Sequence, residues 1–196
     1  MQNFGIEYAA LSTLETRRLY LRKARMADAK DIFAYSKNPE VARYVLWDAH
    51  RSIQDSRNYI RYLIRQYRQG KPGSYVIVEK ATEQVIGTIG FMWINPEFAS
   101  AEVGYSLAQR CWNQGYMTEA LEAVIRYGFE QLGLNRIEGQ HDVRNQASGM
   151  VMRRAGMVKE GLLQERMINK GRFIDVELYA VLRKNWKENY KQQPNR

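Results

Sequence analysis

Residues 101–118 read Ala-Glu-Val-Gly-Tyr-Ser-Leu-Ala-Gln-Arg-Cys-Trp-Asn-Gln-Gly-Tyr-Met-Thr. The first seven alternate as a strand does, with Ala101, Val103, Tyr105 and Leu107 on one face and Glu102, Gly104 and Ser106 on the other. One face therefore belongs to a core. The other presents a carboxylate beside a glycine, which in a strand marks a bulge or the close approach of a ligand to the backbone. A helical pattern then starts near Gly115 and runs to Leu132, with Leu121, Val124, Ile125, Gly128 and Phe129 on one side and Gly133 at its end. A strand, a glycine-bearing turn and a helix start together make a receptor for anions, because the first helical N–H groups lack partners and the helix dipole is positive there. The stretch is neither G-x-G-x-x-G nor a P-loop, and taken alone an ordinary helix start is the simpler reading.

Outward from this stretch the periodicities predict a mixed α/β chain. Strands are expected at 17–24, 74–80, 85–94, 101–108, 136–143, 157–168 and 173–183. The strand at 85–94 is apolar on both faces and should lie centrally. In the last strand Ile174, Val176, Leu178, Ala180 and Leu182 share a face. One helix follows Asp28, carries Ala29, Ile32, Phe33 and Ser36, and is expected to stop at Pro39. Ser52-Ile-Gln-Asp55 resembles a capping box with Asp in the Glu position, opening a helix with Ile60, Leu63, Ile64 and Tyr67 on one side. A short helix is expected over 146–155, closed by Gly156. The order β-α-α-β-β-β-α-β-α-β-β is rich in hairpins and is not a repeated parallel βαβ fold.

Composition bounds the function. The 196 residues carry 30 Lys+Arg and 21 Asp+Glu, a formal net charge of +9. At 45% apolar residues the chain is not intrinsically disordered. Its length suits one domain, 1–196, with a short lead at about 1–13 and a basic tail at about 187–196. No apolar run approaches the ~20 residues that cross a bilayer. The start, Met-Gln-Asn-Phe-Gly-Ile-Glu, lacks the basic and apolar parts of a signal peptide, so a cytoplasmic location without membrane contact is expected. One cysteine, Cys111, makes no internal disulfide, and with two histidines no zinc cage is expected. The excess of base suits an anionic ligand or partner. Nothing in the sequence chooses between a monomer and a homodimer.

A second chemical segment is Asn145-Gln-Ala-Ser148, at the start of the short helix, where Asn and Ser are ordinary capping residues. Set in order, several short motifs resemble the GNAT superfamily of acyl-CoA-dependent N-acyltransferases, and within it the branch that acetylates the N-termini of ribosomal proteins. They are Thr16-Arg-Arg-Leu-Tyr-Leu-Arg22, Gly87-Thr-Ile-Gly90, Ala101-Glu-Val-Gly-Tyr105, Trp112-Asn-Gln-Gly-Tyr-Met-Thr-Glu-Ala120, Asn145-Gln-Ala-Ser148, Gly161, Gly171-Arg-Phe-Ile-Asp175, Leu182 and Trp186. The resemblance covers about residues 14–186. It implies a single-domain GNAT fold: a mixed, mostly antiparallel sheet flanked by helices and splayed between its fourth and fifth strands, at 101–108 and 136–143.

The resemblance also implies roles. Acetyl-CoA is the donor, its pyrophosphate held by the amides of Gln114, Gly115, Tyr116, Met117 and Thr118. Trp112 stands where the superfamily has Arg or Gln, and Met117 where it has a small residue. Asn145 matches the asparagine that reaches the pantetheine arm. Ser148 matches a serine near the thioester sulfur. Many relatives carry a tyrosine acid four residues on, where this chain has Met152, so Ser148 is the candidate acid. Glu102 is the candidate base, on a strand facing the cleft, with a structural carboxylate as the alternative. Amides near Leu107 and Gly104 are candidates to hold the carbonyl oxygen. Transfer is expected to be direct, with Cys111 a small core residue.

The acceptor implied by the branch is a protein N-terminus. A small-molecule amine is the alternative within enzymes, and a non-catalytic acyl-CoA- or RNA-binding module is the alternative outside them. Arg57, Arg61, Arg65 and Arg68 form one stripe on the second helix. A solvated helix face is its simpler reading, and a weak contact with RNA or the ribosome the sharper one.

Overall fold

A computed structural model describes residues 12–186. The expected lead, apart from Ser12 and Thr13, and the expected tail lie outside these residues. The strands are β1 (Leu14–Glu15), β2 (Leu19–Arg22), β3 (Ser74–Glu79), β4 (Val85–Asn95), β5 (Ser100–Leu107), β6 (Arg136–Asp142), β7 (Val158–Asn169) and β8 (Arg172–Leu182). The helices are α1 (Ala29–Ser36), α2 (Pro39–Ala42), α3 (Ile53–Arg68), α4 (Tyr116–Glu130) and α5 (Gln146–Arg154). They build one sheet in the order β1-β2-β3-β4-β5-β6-β8-β7. Every neighbouring pair is antiparallel except β5 and β6.

The periodicities explain most of this. Val85 to Phe91 are all buried, as a central strand requires. Ser52 and Asp55 form the expected capping box, and the Asp55 carboxylate accepts from the Ser52 N–H at 2.9 Å. Ile60, Leu63 and Tyr67 of α3 are buried on the sheet, and Leu121, Val124, Ile125 and Phe129 of α4 are buried on its other face. Burying one such side chain contributes roughly 1.5–3 kcal/mol.

Two elements differ from expectation. Pro39 does not simply end a helix. It is the first residue of α2, where its missing N–H costs nothing, and Asn38 caps that turn by accepting from the Glu40 N–H at 3.0 Å. The first expected strand, 17–24, appears as β2, and before it the chain adds an unforeseen two-residue β1 that doubles back so that Leu14 pairs with Leu21.

This doubled edge holds the start of α4. The Glu119 carboxylate accepts from Thr16 Oγ1 (2.6 Å), the Arg18 N–H (2.8 Å) and Arg18 Nε (2.7 Å). Burial pushes the Glu119 carboxyl up, and these hydrogen bonds outweigh it and hold the group below the ordinary carboxylate value. A depressed carboxylate stabilises the fold above its unfolded pKa of about 4.3, and that stability is lost as pH falls through the lower folded value. Glu119→Ala is expected to cost about 1–3 kcal/mol at pH 7. The gap to the wild-type protein in chemical denaturation narrows as the pH falls below about 4.

Candidate active site

The ladder between β5 and β6 is short. It joins Ser100 to Arg136, Ala101 to Ile137 and Glu102 to Glu138, and then stops. Past Glu102 the two strands part and leave a slot. The Ala108 N–H donates to Ile86 O in β4 at 2.7 Å. Backbone groups alternate in direction along a strand, so Leu107, Tyr105 and Val103 turn theirs away from β4 and toward the slot. Leu107 C=O on that side accepts from Trp112 Nε1 at 2.9 Å. The Gly104 amide points the other way, toward Gly90 of β4, and is not a candidate for the carbonyl oxygen. Nor is the space over Gly104 open: a Cβ there would stand 2.4 Å from the Met92 sulfur.

One end of the slot meets the start of α4. Gly115, its N-cap, has φ +79°, a left-handed conformation that glycine adopts without strain. The helix geometry leaves the first amides of α4 without intrahelical partners. Met117 buries its side chain in the core and keeps only its amide in this turn. Arg18 lies alongside. Its Nη1 donates to Gln114 O at 3.0 Å, its guanidinium sits 4.2 Å over the Tyr116 ring, and its Nη2 is 3.5 Å from where a Gly115 Cβ would be. The Tyr116 hydroxyl donates to Glu79 at 2.6 Å, which fixes that ring. A left-handed turn, unpaired amides and an oriented guanidinium fit a pyrophosphate.

The walls of the slot carry the two candidate catalytic side chains. Glu102 is half-buried on the face that also carries Ser106, whose hydroxyl is 3.2 Å from that of Thr88. Its carboxylate accepts from Trp93 Nε1 (2.8 Å) and from Gln140 Nε2 (3.1 and 3.2 Å). Gln140 stands on β6, so this contact crosses the slot. Ser148 lies in the first turn of α5, the helix after β6. Its Oγ is 3.0 Å from the hydroxyl of Tyr105 on β5, a second contact across the slot. Tyr105 shares its face of β5 with Val103, beneath α4 and α5, so Glu102 and Ser148 meet the slot from opposite faces of the sheet.

Asn145 caps α5, its Oδ1 accepting from the Ser148 N–H at 3.4 Å. Met152 is buried. Cys111 is buried, and burial pushes its thiol pKa up, which removes the thiolate a nucleophile needs. Arg57, Arg61, Arg65 and Arg68 are all exposed on α3, and the last three rim an open groove floored by Met26 and Ile64.

Four residues of the site have no role in the sequence reading. Trp93 faces Glu102 across the β4–β5 hairpin, Gln140 reaches it from β6, Arg18 stands there only as part of a motif, and Tyr105 reads as core. β6 is polar at most positions, so Gln140 carries no local signal that sets it apart.

Comparison with known proteins follows the same outline. The sequence profile of the acetyltransferase (GNAT) domain matches residues 18–158. The uncharacterized N-acetyltransferase p20 of Bacillus licheniformis is 35% identical over 176 residues, 90% of this chain and 99% of that one. The ribosomal-protein-serine acetyltransferase of Escherichia coli is 30% identical over 129 residues, 66% of this chain and 71% of that one. Among solved structures, a ribosomal L7/L12 alpha-N-protein acetyltransferase in complex with coenzyme A superposes with a TM-score of 0.78 at 24% identity, over 87% of this chain and 98% of that one. No helix among the described residues is long and apolar enough to cross a membrane. The profile runs through the helix start, both walls of the slot and the Ser148 helix, and p20 matches over almost its whole length. The chain belongs to the GNAT family of N-acetyltransferases.

Proposed function

We propose that this protein moves the acetyl group of acetyl-CoA directly onto a primary amine, and that the amine is the N-terminus of a ribosomal protein. The observation that carries the reading is the placement of Glu102 and Ser148 on opposite faces of one slot that ends at the start of α4. The amides of Gln114, Gly115, Tyr116, Met117 and Thr118 hold the pyrophosphate, and Asn145 faces the pantetheine arm. Acetyl-CoA supplies an activated thioester. The amine enters on the Glu102 face. Glu102 takes the proton of the attacking nitrogen, directly or through water, while Trp93 and Gln140 fix the carboxylate. The Leu107 amide, turned toward the slot, donates to the carbonyl oxygen. Ser148 gives its proton to the sulfur as the C–S bond breaks. One proton leaves nitrogen and one reaches sulfur, so the transfer balances. The choice of a protein N-terminus rests on kinship with the ribosomal-protein acetyltransferases. Contact with ribosomal RNA rests on the exposed Arg57, Arg61, Arg65 and Arg68.

A thiol-release assay with acetyl-CoA tests the acceptor. Peptides beginning with Ala, Ser, Met or Thr are expected to release CoA faster than free amino acids, polyamines or aminoglycosides. Release with the small amines alone would move the acceptor to that class.

In the same assay Ser148→Ala is expected to lower turnover ~10²–10⁴-fold with acetyl-CoA affinity nearly intact. Full turnover in that variant would leave the Ser148 hydroxyl a structural partner of Tyr105 and remove it as the acid. Glu102→Gln is expected to slow transfer most below the amine's own pKa, near 7.7–8.0 for an α-amino group, and to recover part of the rate as pH rises. A wild-type rate at every pH would remove Glu102 as base.

A further inference from the structure

Tyr105 has no part in the mechanism above, yet its hydroxyl contacts the candidate acid directly. Its hydroxyl lies 3.0 Å from Ser148 Oγ and 3.0 Å from Ser148 O. A carbonyl oxygen only accepts, so Tyr105 donates its single proton there. Ser148 Oγ–H then donates to the phenol oxygen. Burial pushes the phenol pKa up, so the group stays protonated throughout the neutral range. The pair joins the two walls of the slot where β5 and β6 have no ladder between them.

We propose that Tyr105 is a positioning residue for acid catalysis by Ser148. The inference rests on the reading of Ser148 as the acid. At rest the phenol oxygen holds the Ser148 proton in one direction. As the C–S bond breaks, Ser148 Oγ–H turns to the departing sulfur. The Tyr105 O–H then turns from Ser148 O to Ser148 Oγ, an equal distance away, and stabilises the oxygen that is losing its proton. Tyr105 keeps its own proton. The proton that Ser148 gives to sulfur is replaced by the one the amine released to Glu102 or water. The position four residues after Ser148 is the buried Met152, so α5 offers no hydroxyl of its own there. β5 supplies one from the opposite wall.

A double-mutant cycle tests this. Tyr105→Phe keeps the ring and is expected to lower kcat roughly ten- to a hundredfold, the effect of losing one hydrogen bond to a developing charge, with KM for acetyl-CoA and thermal stability close to wild type. In a Ser148→Ala background the same substitution is expected to change kcat less than twofold. An equal loss in both backgrounds would make Tyr105 independent of Ser148 and overturn the proposal, as would full turnover in Tyr105→Phe alone. If Ser148→Ala itself retains full turnover, the acid assignment fails first and the proposal with it. Should Tyr105→Phe fold poorly, 3-fluorotyrosine at 105 alters the acidity of the phenol with almost no change in volume. It is expected to raise kcat in the wild-type background and leave it unchanged in Ser148→Ala. Unchanged turnover in the wild-type background would overturn the proposal.

Discussion

Three residue pairs hold β5 to β6, and the point at which they stop makes the site. A longer parallel ladder would close the sheet and satisfy the backbone groups that now face the slot. A shorter one would separate Glu102 from Gln140 and remove the carboxylate's partner on the far wall. The split is kept open by what stands in and around it. On one face Glu102 reaches Gln140 across it, and on the other Tyr105 reaches Ser148. α5 lies close against β6 because Gly149 has no side chain, since a Cβ there would stand 2.5 Å from His141 Nε2. That close seat brings Ser148, the preceding residue, within reach of Tyr105.

The end of the slot depends on a different device. A helix start that binds an anion gathers partial positive charge, and the sheet edge must hold it in place. Glu119 does this from within the first turn, joined to Thr16 and Arg18 by three hydrogen bonds. Arg18 in turn reaches Gln114 O and stacks on Tyr116, and Tyr116 is tied to Glu79 at the end of β3. The turn at Gly115 is thus fastened to the β1–β2 turn and to β3 before any ligand arrives. Pre-organisation of this kind lowers the ordering cost of binding.

How much of this was legible in the sequence depends on how local the cause is. The alternation along residues 101–107 and the apolar stripe of α4 are period effects, and both appear in the structure. The capping box at Ser52 is a four-residue pattern and also holds. The helix before Pro39 stops as expected, at Ser36, but Pro39 also opens α2, a turn that the Asn38 cap sets up and that the periodicity did not show. Gly104 drew attention as a place for a ligand, but the Met92 side chain, set beside it by a bulge in β4, takes the room. Tyr105 is the instructive case. Alternation puts it correctly on the face with Val103, but a face is a core only while helices and neighbouring strands cover it. Where β6 departs, the same face becomes a wall of the slot, and no local pattern records where a parallel ladder ends. Gln140 and Arg18 are partners at long range, and Trp93 is set opposite Glu102 by the hairpin register past a bulge; none of the three leaves a local period.

The central claim is that the slot between β5 and β6 is the transfer site, with the anion end at α4 and the acid on α5. A crystal structure of the protein with coenzyme A tests it most directly. The account predicts the pyrophosphate on the amides of residues 114–118, the pantetheine arm between the parted strands, and the sulfur within hydrogen-bonding reach of Ser148 Oγ. Coenzyme A bound outside the slot, or its sulfur on the far side of β5 from Ser148, would contradict it.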